Sequence, residues 1–314
     1  MSAYVLRRIM AAVLLMLGVA SLVFLVLHLI PGDVAGIIAG ERATPEQVAS
    51  VRQVLGLDRP LSIQYLDWLS RLLRGDLGTS LVSGRSVLAD LIQQLPRTVE
   101  LMLCALAVAV VFGVPAGVLA AVRRGRVTDL LVSSFGLLGL SVPSFVVGTL
   151  LALVLGVHLG WLPVSGFVPF DEEPVRHLQL LVMPSVALGL SMAGVILRMT
   201  RSTLLEVLGE DYIRTARAKG VAEWIVRYRH ALRNAVIPVV SLIGVQAGTL
   251  LGGTVIIEFI FNWPGLSSLL IRAIFQRDAP LVQGVILLIS GAFVLITLLV
   301  DLVNARLDPR IRYG

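Results

Sequence analysis

Apolar residues in this chain come in long unbroken runs, unlike the short alternations of strands or the one-sided stripes of helices that face water. Six runs reach the roughly 20 residues needed to cross a hydrocarbon core: 9–29, 101–122, 130–157, 178–197, 234–257 and 281–300. None of them holds Asp, Glu, Lys or Arg. The pattern predicts an all-α membrane protein with six transmembrane helices. The third run is longer than a span requires and carries Pro143, so it is expected to tilt, kink or lie partly in the interface.

Between the first two spans the pattern turns soluble. Residues 31–98 are expected to form a small extracytoplasmic domain, with helices near 45–55 and 63–73 and a turn at Gly75-Asp76-Leu77-Gly78. The expected organisation is then 1–30 for the cytosolic N-terminus and first helix, 31–98 for that domain, 99–303 for a five-helix core containing a cytosolic loop at 201–236, and 304–314 for a cytosolic tail. The first run exceeds the 7 to 15 residues of a signal-peptide core, so it is expected to stay as an uncleaved helix.

Composition agrees with the pattern: 57% of residues are hydrophobic and only 15% charged. The net charge of +6 could suggest nucleic acid, but its distribution follows the membrane. With Arg7 and Arg8 in the cytosol, 16 of the 26 basic residues fall on the inner side, as the positive-inside rule requires, and 7 of the 20 acids join them. The inner face then carries +9 and the outer face −3, which accounts for all the basicity and leaves nothing for nucleic acid. Both termini are expected to be cytosolic.

Candidate chemistry is sparse. The single lysine, Lys219, precedes Gly220 and not Ser or Thr, so there is no phosphate-binding P-loop. Spans without carboxylates lack the groups that proton- and sodium-coupled carriers commonly use, although backbone carbonyls could still bind sodium. His28, His158, His177 and His230 are scattered without metal-ligand spacing, and no hydrolase motif appears. No metal site and no catalytic residue is expected. The one cysteine, Cys104, lies in an apolar run and reads as a structural thiol.

The loop between the fourth and fifth runs breaks this silence. Glu206, Glu210 and Asp211 precede Arg214, Arg217 and Lys219, an order that suits the dipole of a short helix and spaced ion pairs. Gly220 is expected to end that helix, and a second helical piece at 221–232 carries Trp224, Val226 and Tyr228 among basic residues. On pattern alone the loop is either a docking element or a solvated positive-inside loop with an interfacial helix.

Here the sequence resembles a known family. Ala216, Gly220 and Leu232 fit the membrane-subunit signature of bacterial ABC importers, written Glu-Ala-Ala, three residues, Gly, nine residues, Ile-x-Leu-Pro. Arg214, Thr215 and His230 depart from it, and the proline comes later, at Pro238. Those departures resemble the permeases for dipeptides, oligopeptides, glutathione and nickel complexes. So do His28-Leu29-Ile30-Pro31-Gly32-Asp33, Gly75-Asp76-Leu77-Gly78-Thr79-Ser80, Arg198-Met199-Thr200-Arg201-Ser202, Glu258-Phe259-Ile260-Phe261-Asn262-Trp263-Pro264-Gly265 and the tail Leu307-Asp308-Pro309-Arg310-Ile311-Arg312.

The resemblance implies a type I ABC importer permease fold in a bacterial inner membrane. Its partners would be a second homologous permease subunit, two ATPase subunits that bind ATP and magnesium, and an extracytoplasmic substrate-binding protein. No cofactor is expected in this chain. Tyr212, Arg214, Thr215, Ala216, Arg217, Ala218, Lys219 and Gly220 would form the coupling loop to the ATPase. Glu258 and Trp263 are outer-gate candidates, with Glu258 expected to accept hydrogen bonds from the turn that follows it. Ser141, Ser144, Ser191, Gln246, Thr249 and Thr254 are candidates for lining the pathway, each also explicable by helix packing. Short peptides are the expected cargo, ahead of nickel complexes or glutathione. A stand-alone channel or secondary carrier, and a membrane scaffold for a cytosolic complex, are the rival readings.

Overall fold

The computed structural model describes residues 2–29, 34–39, 43–54 and 56–307. The Pro31-Gly32-Asp33 segment and the tail beyond Leu307 lie outside the described residues. In chain order the helices are α1 (Ser2–Leu29), α2 (Val34–Ala39), α3 (Pro45–Val54), α4 (Leu61–Leu73), α5 (Val87–Val122), α6 (Val127–Ser141), α7 (Ser144–Leu151), α8 (Pro174–Leu208), α9 (Asp211–Ala218), α10 (Glu223–Ile225), α11 (Leu232–Gly253), α12 (Val255–Ile260), α13 (Leu266–Phe275) and α14 (Ala279–Leu307). A wider-wound π turn, Ala152–His158, follows α7, and another, Val226–Ala231, joins α10 to α11. Among the described residues the one β feature is an isolated bridge between Thr79 and Ser86.

Five helical stretches are long and apolar enough to cross a membrane, and a sixth crossing is available if α6 and α7 count together. These two are bent by 98° at Val142–Pro143. The cause is local: a residue before proline is pushed out of helical geometry, and Val142 sits at φ −90°, ψ 121°. The third run is therefore a broken or re-entrant element and not one straight span. The other spans extend past their apolar runs. The second begins at Val87, inside the stretch expected to be soluble, so the expected boundary at residue 98 falls within α5. The fifth begins at Glu223, absorbing the second helical piece of the loop, and its run to 257 is interrupted at Thr254 between α11 and α12.

The chain divides into two compact units. The first comprises Met1–Pro96 and Gly265–Gly291. Its core joins Val87 and Leu91 of α5 to Leu266, Leu269 and Ala273 of α13 and to Leu281, Val282 and Val285 of α14. Asp278, fully buried, binds the Gly78–Leu81 segment: it accepts from the Ser80 hydroxyl at 2.5 Å and the Leu81 amide at 3.2 Å, while the Leu281 amide at the start of α14 donates to it at 3.3 Å. Phe24 of α1 packs against Tyr65 and Trp68 of α4 at ring separations of 5.3 and 5.4 Å.

The second unit comprises Arg97–Pro264 and Ala292–Gly314, and α8 is its axis. Lipid gives helices no hydrophobic reason to pair, so close packing relies on small residues that let backbones approach. Gly113 and Gly117 of α5 lie against Ala193, Ile196, Leu197 and Thr200, and Gly189 of α8 lies against Ala105 and Val108. On the α6 side Gly194 abuts the Gly136 carbonyl, and Gly139 abuts that of Leu190. These pairings make α5 parallel and α6 antiparallel to α8.

Candidate functional site

Helix α9 ends as its sequence requires. Gly220 adopts φ +75°, its amide donates to the Arg217 carbonyl at 2.9 Å, and the Val221 amide reaches back to Ala216 at 3.2 Å. This double bond through a left-handed residue is the Schellman stop. The ion pairs differ from the expected order. Asp211 does pair with Arg214, at 3.2 Å, but both side chains are largely exposed. Arg217 turns away from the acids before it and binds Glu223 at 2.7 Å, where Arg227 joins at 3.0 Å. The salt bridges therefore tie α9 to α10 and the π turn, which fixes the second piece against the first.

What anchors α9 is a residue outside the expected set. Ile213 is fully buried in a cluster with Val118 and Ala121 of α5, Leu204 of α8, and Val226, Ala231 and Ala235. Its signal was available: it is the one large aliphatic side chain in a charged helix. Ala216 also packs on this cluster, half-buried, so it faces the chain's own core and not outward. Tyr212 takes a hydrogen bond from Asn234 at 2.8 Å. Arg214, Thr215, Arg217, Ala218, Lys219 and Gly220 form the exposed face, and Trp224 and Tyr228 are exposed beside it.

Toward the other end of α8, roughly 40 Å away by the helix rise from Leu204 to His177, Glu258 and Trp263 are both buried. Glu258 accepts from the Thr254 hydroxyl at 2.9 Å and the Thr98 hydroxyl at 3.4 Å. The following turn reaches its backbone carbonyl, through the Trp263 amide at 2.8 Å, while Thr98 and Thr254, both outside that turn, donate to its carboxylate. Asn262 takes φ +50° in that turn. The Trp263 indole donates to the Arg97 carbonyl at 3.1 Å and packs edge-on against Phe167 and His177. Sequence reasoning missed the rest of this cluster. His177 Nδ1–H donates to the Val168 carbonyl, its Nε2 pairs with Glu100 at 2.7 Å, and the Arg97 guanidinium lies 4.4 Å over the Phe167 ring.

The lining candidates differ in exposure. Thr254 is removed from the set, because it is buried with its hydroxyl on Glu258. Ser141 and Thr249 are exposed, their hydroxyls satisfied by the carbonyls of Leu137 and Gln246. Ser144, Ser191 and Gln246 are half-buried. Between α6, α8 and α11 an open groove of about 660 Å3 has apolar walls from Leu137, Leu140, Val195 and Leu242, with Arg198 and Arg201 on its α8 side. Arg201 is held by Asp129 through two bonds, Nε to Oδ1 at 2.7 Å and Nη2 to Oδ2 at 2.9 Å. Asp129 also accepts from the Gly125 amide at 3.0 Å and from Ser133.

Residues 113–313 match the family described as binding-protein-dependent transport system inner membrane component, and residues 1–102 match its N-terminal component. The chain belongs to this family. The "Glutathione transport system permease protein GsiC" of Salmonella typhimurium is 45% identical over 310 residues, 99% of each chain. A Sinorhizobium fredii protein named "Probable peptide ABC transporter permease protein y4tP" is 42% identical over 313 residues, the full length of both. A solved structure of the MetNI methionine ABC transporter in an inward-facing conformation matches with a TM-score of 0.58 at 21% identity, covering 70% of this chain and 96% of that one. The fold is that of a type I ABC importer permease. As a family member the chain is a multi-pass inner-membrane permease subunit without catalysis of its own, and ATP hydrolysis lies in partner subunits.

Proposed function

We propose that this chain forms half of the translocation pathway of an ATP-driven importer of short peptides, paired with a second permease subunit, two ATPase subunits and an extracytoplasmic binding protein. The observation that carries the reading is α9: a short helix pinned by buried Ile213 to α5, α8 and the base of α11, with a charged face left exposed. A push on that face moves three long helices through one core, which is what coupling to a nucleotide-driven closure requires. In this reading both termini and α9 are cytosolic, and the Trp263 cluster is extracytoplasmic.

Short peptides are supported by the peptide-permease relative and by the tracts around 198–220. Glutathione is the second reading, favoured by the relatives that carry its name at 45% identity. It is itself a small peptide with free carboxylates. Deleting the gene should lower uptake of labelled di- and tripeptides. Unchanged peptide uptake with loss of nickel uptake overturns the assignment, and loss confined to glutathione selects the second reading.

A further inference from the structure

The groove holds two guanidiniums in different states. Arg201 is neutralised by Asp129. Arg198 is exposed and makes no hydrogen bond or ion pair among the described residues, while apolar side chains form most of the wall around it. An exposed guanidinium without a counter-charge keeps its donors available, and apolar neighbours on the groove wall offer it no competing partner, so an anion entering the groove can form a charge-assisted pair with it.

The walls continue in register beyond the groove. On α8, Ser191 lies one turn from Val195 and two turns from Arg198, on the same face. On α6, Ser141 stands one turn beyond Leu137, and on α11, Gln246 and Thr249 stand one and two turns beyond Leu242. Asp129 meets Arg201 while Gly139 meets Leu190, and Thr203 bonds the Ala235 carbonyl at 3.0 Å. All three stripes therefore lead away from Arg198 toward the same end of the unit, as one face with polar side chains above and, below them, a cation that has no ion pair among the described residues.

We propose that Arg198 is the specificity contact of this face and receives the carboxylate of the transported peptide. The proposal rests on the peptide reading above and deepens it. A free C-terminal carboxylate would meet a charge-assisted pair, whereas a cationic metal complex would meet repulsion.

The test uses the complete importer in proteoliposomes, with its binding protein preloaded with a labelled dipeptide or with its C-terminal amide. Arg198→Gln should lower uptake of the free acid about tenfold and change uptake of the amide less than about twofold, and Arg198→Lys should restore much of the difference. Equal loss of both substrates in Arg198→Gln, or an unchanged ratio, overturns the proposal and leaves Arg198 to packing or to a protein neighbour. If the unaltered complex imports neither peptide form, the peptide reading itself fails and this inference with it.

Discussion

At the residue scale, Asp129 and Arg201 show how much a sequence conceals. Asp129 is the one acid in a basic stretch after the second span, and nothing there names a partner 72 positions away. Because Asp129 is buried and bonded at both oxygens, Asp129→Ala leaves Arg201 uncompensated, and a loss of about 2–4 kcal/mol follows. The melting temperature of the detergent-purified protein should fall by several degrees. Adding Arg201→Met should recover part of that loss, and a double variant no better than Asp129→Ala alone would contradict the pairing. Glu258 was legible as an unusual carboxylate after an uncharged run. Its partners Thr98 and Thr254 were not, since one sits at the edge of another span and the other was assigned to the pathway.

At the element scale, two kinds of glycine give opposite expectations. Gly220 is needed only for its left-handed backbone, because a Cβ there would meet nothing within 4 Å. Gly220→Val should thus cost about 1–2 kcal/mol locally, with membrane insertion and expression near normal. Gly189 is needed for contact, since a Cβ would lie 2.6 Å from Val108 and 2.7 Å from the Ala105 carbonyl. Gly189→Val should prevent α5 and α8 from closing, and size-exclusion chromatography should show aggregated protein. A monodisperse Gly189→Val variant would contradict the packing. The stop at Gly220 was readable from sequence because capping is a local rule. The fusion of α10 with α11 was not: 221–232 read as a separate helical piece, because its basic residues end the apolar run, and the Glu223 bridges to Arg217 and Arg227 that hold it in place join residues no local rule connects. Ala216 illustrates the same limit: the signature marks it, but its place on the Ile213 core makes Ala218 the better probe of an outside partner.

At the scale of the whole molecule, five spans were legible from run length alone, the third run being the bent α6–α7 pair, and the distribution of Arg gave an expected orientation that single cysteines can test. On a Cys104→Ala background, cysteines at Ser83 and Glu172 should react with an impermeant thiol reagent from outside intact cells, and one at Glu223 should not. The reverse pattern would invert the topology. The 98° bend at Val142–Pro143 was signalled by Pro143, but its size was not, because apolar run length does not distinguish a tilted span from one folded back. In the proposed function ATP-driven motion enters through the exposed face of α9, and Ala218→Trp enlarges that face without touching the Ile213 core. The most direct measurement is ATP hydrolysis stimulated by peptide-loaded binding protein, taken alongside peptide accumulation, in proteoliposomes carrying the complete importer with this variant. The unaltered complex should accumulate peptide in an ATP-dependent way, and Ala218→Trp should lose stimulation, accumulation or both. Full stimulation and full accumulation in the variant, or accumulation without ATP in the unaltered complex, would contradict it.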